Sequence, residues 1–159
     1  MDLRLLLAII LAMLPVSELR GGLPLAIVYA KAHNIPLLLI FLLIVMANIL
    51  IIFFVFYFLD KIHPKLLKIK FYKKIFETYI NKIQKKTKKF EEKYSVIGFL
   101  ALTLFVAIPL PATGAWSGCL ISWLLNLDRK KSILSIASGV LIAGVLMLLG
   151  TLGFLQIFS

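Results

Sequence analysis

Glu18 and Arg20 are the two charged side chains in a Gly/Pro-rich stretch, Pro15-Val-Ser-Glu-Leu-Arg-Gly-Gly22, that apolar sequence flanks on both sides. A charge at membrane depth costs about 2.5–3.5 kcal/mol near a helix centre on the translocon scale. A pair kept in such a place has a use or is paired off. A buried carboxylate suits taking up and releasing a proton. A guanidinium suits a phosphate or carboxylate, which it grips with two donors. The alternatives are a structural ion pair that staples a hairpin tip, or a knot shallow enough for ordinary hydration.

A second knot, Pro111-Ala-Thr-Gly-Ala-Trp-Ser-Gly118, sets Pro111 against Pro15 and Gly118 against Gly22. It has no charge. Thr113 and Ser117 offer hydroxyls, Gly114 and Gly118 leave backbone open, and Trp116 packs on the opposing knot or on a substrate. Helices that start near Gly22 and Gly114 would present free N–H groups and a positive dipole end to an anion. The expected substrate- and proton-binding set is Glu18, Arg20, Gly21, Gly22, Thr113, Gly114, Trp116 and Ser117. Pro15, Pro24, Pro109 and Pro111 are expected to break helices.

The elements that carry these knots belong in a bilayer. Of 159 residues, 62% are hydrophobic, and the mean hydropathy is +1.03; a soluble domain has too little polar surface to cover this. The runs 35–59 and 132–158 hold no charge, and about 20 such residues cross a bilayer core. The apolar pieces on either side of each knot are too short to cross. Each half therefore reads as a re-entrant hairpin (5–30, then 95–127) followed by one transmembrane helix (35–59, then 132–158). The fold class is all-α integral membrane, built as an inverted repeat. Backbone exposed to lipid is costly, so the knots are expected to shield one another near the midplane, as broken helices do in transporters.

Between the halves, residues 60–94 hold 12 Lys against Asp60, Glu77, Glu91 and Glu92, a net +8 of the formal +11. Ile69, Tyr72, Phe76, Tyr79, Ile83 and Phe90 fall near one helical stripe. This predicts a basic amphipathic helix on anionic lipid, or a solvated connector with local helix. The distribution argues against nucleic acid as a partner. Basic residues mark the cytoplasmic face, so the linker 60–94 and the turn 128–131 are expected there, with both termini outside, in the plasma membrane. The start of the chain lacks a positive flank and a small-residue cleavage site, so it is not read as a cleaved signal.

Other features read as structural. Cys119 is a small packing residue, and Asn48 an interhelical hydrogen-bond partner. Gly139-Val-Leu-Ile-Ala143 matches a small-xxx-small pattern that suggests a homodimer. Asp60 and His63 have i, i+3 spacing but no third ligand, so they read as an interfacial turn rather than a metal site. No nucleotide loop or nucleophile arrangement is present. The chain is read as neither an enzyme nor a cofactor protein.

At Glu-Leu-Arg-Gly-Gly-Leu-Pro24 and Pro109-Leu-Pro-Ala-Thr-Gly-Ala-Trp-Ser-Gly118 the sequence resembles the small multi-drug export protein family, which is similar in plan to the DedA/VTT membrane proteins. The resemblance covers nearly the whole chain. It implies an inverted repeat with two facing re-entrant hairpins, export of small molecules from the family name, and lipid or polyprenyl-phosphate flipping from the DedA-like plan. DedA-like proteins carry acidic and Arg residues in their hairpins; Glu18 and Arg20 match the first hairpin, and the second has neither. The functions carried forward are a transporter of a small or lipid-linked, phosphate-bearing substrate and, as the alternative, a non-transporting scaffold whose basic linker binds lipid or a protein.

Overall fold

A computed structural model describes residues 2–62, 96–109 and 113–157 of the chain. These residues form helices α1 (Leu3–Met13), α2 (Glu18–Ala32), α3 (Leu37–Tyr57), α4 (Val96–Ala107), α5 (Ala115–Leu124) and α6 (Arg129–Ile157), with a π turn at Phe58–Ile62 that extends α3. Most of the linker 60–94, and Pro111 with it, lies outside the described residues.

α3 with its π turn, and α6, are long and apolar enough to cross a bilayer. Their outer faces expose large apolar side chains along their length, such as Leu39, Met46 and Phe53 on α3 and Leu134, Leu141 and Leu149 on α6. A helix that is apolar all round and uncovered on one side suits lipid rather than water. The chain is a membrane protein whose described residues are all-helical and hold two candidate spans. Arg129, at the start of α6, meets Asp60, at the end of α3, at 2.8 Å. A methyl at Gly144 of α6 would touch Val45 of α3 at 3.0 Å. These two contacts, each some 15 residues further along (45 to 60, 129 to 144), fix the long helices as antiparallel.

Both halves run in the same order: a short helix, a break, a second short helix, a tight turn and a long helix. The tight turns are alike in detail. Asn34 (φ +53°) and Asn126 (φ +50°) both take the left-handed conformation. Ile35 N–H donates to the Ala30 carbonyl at 2.9 Å, and Leu127 N–H donates to the Ser122 carbonyl at 3.0 Å. This is a helix stop in which asparagine takes the place usual for glycine.

The first break is shorter than the sequence suggests. The chain leaves the helix only from Leu14 to Ser17, and α2 restarts at Glu18. Pro24, expected as a breaker, lies inside α2. A proline within a helix removes one donor, here the one that would reach the Arg20 carbonyl, at about 3 kcal/mol. Ending the helix at residue 24 would orphan up to four carbonyls, each worth several kcal/mol in lipid. Continuing is the smaller loss.

The halves differ in how their short helices pack. α1 and α2 close into a tight antiparallel hairpin through Ala8, Ala12 and Gly22. A Cβ on Gly22 would lie 2.5 Å from the Ala8 carbonyl oxygen. In the second half α4 packs chiefly on α6 rather than on α5. There a Cβ on Gly139 would lie 2.7 Å from the Thr103 carbonyl oxygen and from Val106. Gly139 is therefore filled within the chain by α4. Each middle helix also crosses to the other half, α2 onto α6 and α5 onto α3.

Candidate functional site

α1 ends pointing its negative pole into the molecule. A helix leaves its last four carbonyls without intrahelical partners. In α1 all four are met. The Ile10 carbonyl accepts from Leu14 N–H at 3.1 Å. The Leu11 carbonyl accepts from the Ser17 hydroxyl at 2.6 Å. The Ala12 carbonyl accepts from Asn48 Nδ2 at 2.6 Å. The Met13 carbonyl accepts from the Trp116 indole N–H at 2.9 Å. Asn48 comes from α3 and Trp116 from α5, so the first knot is held by both halves.

α5 begins with the opposite problem. Its N-cap, Gly114, has no side chain with which to take the first free N–H groups. Glu18 supplies the cap from 97 residues away. Its Oε2 accepts from Ala115 N–H and its Oε1 from Trp116 N–H, both at 3.2 Å. A carboxylate at a helix N-terminus is favourable by about 0.3–1 kcal/mol when exposed and up to about 2 when partly buried. Glu18 is 8% exposed. It reaches this position by adopting φ +46°, a left-handed conformation that costs a residue with a Cβ about 1–2 kcal/mol. Gly114 is required twice. Its φ of +151° belongs to glycine, and a Cβ there would lie 1.6 Å from Glu18 Oε2.

Arg20 crosses in parallel. Its Nη2 donates to the Thr113 carbonyl and to the Thr113 hydroxyl at 2.7 Å. That hydroxyl in turn donates to the Ile108 carbonyl at 2.6 Å, at the end of α4. The staple is thus made between knots: each charged side chain reaches backbone of the second knot. Ser117 makes a local bond, its hydroxyl to the Gly114 carbonyl at 3.3 Å.

Of the expected site residues, Glu18, Arg20, Thr113, Gly114 and Trp116 meet at one point. Gly22 packs α1 on α2, and Gly21 sits over Ser17, where a Cβ would approach the Ser17 Cβ to 2.8 Å. Pro15 lies in the first break and Pro109 beside the meeting point. The space left between the knots is a partly open pocket of about 10 Å³, walled by Glu18, Arg20, Asn48 and Thr113 and by apolar side chains such as Val106, Val140 and Met147. That is room for a single water-sized particle.

Sequence reasoning did not anticipate a second polar cluster at the far end of α3. Asp60 accepts two bonds from Arg129 Nη2, at 2.8 and 2.9 Å, and one from the Trp123 indole at 3.0 Å. The Arg129 guanidinium lies 4.0 Å from the Phe56 ring centroid. The available signal was an acid ending one span and a base opening the other. Among the described residues no group of three or more His, Cys, Asp or Glu gathers as a metal site.

No curated protein and no solved structure matches the chain. A family profile described, provisionally, as small multi-drug export protein matches residues 18–146, from the Glu18 cap through the two knots and into the second span. With most of its length inside that match, the chain belongs to the small multi-drug export protein family.

Proposed function

We propose that this protein is a membrane transporter that moves a small or lipid-linked, phosphate-bearing substrate, with the two knots as its substrate site. It does so without breaking a covalent bond in the substrate, and so is not an enzyme. The observation that carries the reading is the crossing of Glu18 and Arg20 onto the second knot. Both ends of that contact are what a phosphate would use. The α5 N-terminus, now capped by Glu18, is an anion site, and Arg20 is a bidentate donor now resting on Thr113. A phosphate that enters competes with Glu18 for the N–H groups and with Thr113 for the guanidinium. Release of the carboxylate frees it to exchange a proton, which ties movement to the proton gradient. The pocket of about 10 Å³ between the knots is too small for such a substrate, so its entry requires the knots to part.

In this reading the short-helix pairs are re-entrant hairpins of an inverted repeat. The linker 60–94 and the turn 128–131 face the cytoplasm, the termini face outside, and the membrane is the plasma membrane. The Asp60–Arg129 contact, which joins the start of the linker to that turn, supports a shared side. The basic linker is the place for anionic lipid.

The test is leaflet-resolved translocation of lipid phosphates and soluble phosphate analogues in vesicles holding only this protein, with and without a pH gradient. Glu18→Gln and Arg20→Ala are each expected to abolish movement in protein that still inserts. Full transport by both variants overturns the reading. If instead deletion of 69–90 removes function in cells while both knot variants keep it, a scaffold that works through its basic linker is the better account.

A further inference from the structure

A second pocket lies away from the knots, where α4 meets the start of α6. It is partly open and has a volume of about 100 Å³, room for several waters or for one small polar group. Phe99 and Leu102 of α4 wall one side, and Asp128, Lys131, Ser132 and Ser135 wall the other. Further along, Gly139 of α6 meets Thr103 and Val106 of α4, so the two helices run side by side in the same direction. The pocket therefore lies at the end of the spans where Arg129 pairs with Asp60. Charged side chains at span ends sit at the depth of the lipid headgroups.

The polar wall is only partly used by the fold. Asp128 caps α6. Its Oδ1 accepts from Lys131 N–H at 2.9 Å, and its carbonyl accepts from the Ser132 hydroxyl at 2.8 Å. Residues three apart on a helix are neighbours, yet among the described residues the Asp128 carboxylate and the Lys131 ammonium form no ion pair. Ser135, one turn beyond Lys131, is 1% exposed, and its hydroxyl is hydrogen-bonded to no described residue. A buried hydroxyl without a partner asks for an explanation. The wall thus offers a carboxylate oxygen, an ammonium and a hydroxyl to whatever enters.

That set selects its ligand. A bare anion would meet Asp128, and a bare cation would meet Lys131. An amine joined to a phosphate ester satisfies both: its N–H groups donate to Asp128, and its phosphate oxygens accept from Lys131 and Ser135. A primary amine suits the site better than a quaternary ammonium, which is broader and has no N–H to donate. The same two helices expose Leu100, Leu104 and Leu134, apolar surface that suits acyl chains.

We propose that the pocket between α4 and the start of α6 holds the headgroup of a phospholipid with a primary amine, phosphatidylethanolamine in kind, its ammonium on Asp128 and its phosphate on Lys131 and Ser135. The site is separate from the knots and does not depend on the transport reading.

The test is lipid retention by the purified full chain in detergent, read by native mass spectrometry. The chain is titrated with phosphatidylethanolamine, phosphatidylcholine or phosphatidylglycerol carrying the same acyl chains. Phosphatidylethanolamine is expected to bind at least tenfold tighter than either of the others. Asp128→Asn keeps a good helix cap while removing the charge, and is expected to lose the preference over phosphatidylglycerol. Lys131→Gln is expected to weaken phosphatidylethanolamine binding about tenfold, and Ser135→Ala about threefold. Melting temperatures in lipid-free detergent show that each variant folds. Equal retention of the three lipids, or a preference that survives both Asp128→Asn and Lys131→Gln, overturns the proposal. Glycerophosphoethanolamine, which has the headgroup without the chains, is expected to bind far more weakly. Binding as tight as the lipid's would assign the pocket to a soluble ester and overturn the lipid assignment.

Discussion

The first knot reaches out with side chains, and the second receives them on backbone. Glu18 and Arg20 leave the start of α2 to meet Ala115 N–H, Trp116 N–H and Thr113. The second knot returns the Trp116 indole N–H to the Met13 carbonyl. The two are complementary because they expose opposite helix poles, the carbonyl end of α1 and the N–H end of α5. Two knots therefore need not carry matching charges to fit one another. With no acid or base of its own, the second knot leaves its backbone N–H groups and the Thr113 oxygens to the first knot's acid and base.

The sharpest way to break this complementarity is at Gly114. Gly114→Ala adds backbone strain of about 1–3 kcal/mol and drives a methyl into the Glu18 carboxylate. Loss of folded protein, or a destabilisation above about 3 kcal/mol, is expected in thermal unfolding in detergent. Gly150→Ala is the matched control. Nothing lies within 4 Å of its added carbon, and no loss is expected, only a gain of about 0.5–1 kcal/mol from helix propensity.

Removing charge alone is gentler. Glu18→Gln keeps the shape but gives α5 a neutral cap, and one of its two acceptor atoms becomes a donor that faces an N–H. A destabilisation of about 1–3 kcal/mol is expected, with transport lost. If stability and flux both stay at wild-type values, the carboxylate is not the cap described.

The return contact is of similar size. Trp116→Phe keeps the ring and loses the indole N–H, which leaves the Met13 carbonyl unmet. About 1–3 kcal/mol is expected from the orphaned group, less than at Gly114. The comparison turns on whether Met13→Ala, which leaves that carbonyl in place, spares this contact. Last comes Asp60→Asn at the membrane end. The Asp60 and Arg129 side chains are each 41% exposed, so solvent screening limits the pair, and a loss of about 0.2–1 kcal/mol is expected. A larger loss than at Glu18 would move the centre of the account from the knots to the end of α3.

Much of the architecture was legible because bilayer physics leaves few choices. The two spans follow from uncharged length, and the breaks from Pro15 and from the Pro109–Gly114 region. Pro24 misled because a proline's local cost looks decisive in sequence, whereas the number of carbonyls that a helix end would expose decides the outcome. The partners of Gly139 were hidden for a different reason. A small residue announces close approach but not what approaches, and at Gly139 it is α4 of the same chain. Glu18 and Arg20 were legible as a costly pair. Their destinations were not, because a backbone N–H carries no mark in the sequence. The Asp60–Arg129 pair needed knowledge that one span ends where the other begins.

The central claim is that the two knots touch, and cysteine cross-linking in the native membrane tests it most directly. In a Cys119→Ala background, Met13→Cys and Trp116→Cys are introduced together and treated with a short bifunctional thiol reagent. The account predicts efficient intramolecular linkage of the double variant and none in either single variant. Two cysteines that each accept a monofunctional label yet never join would contradict it.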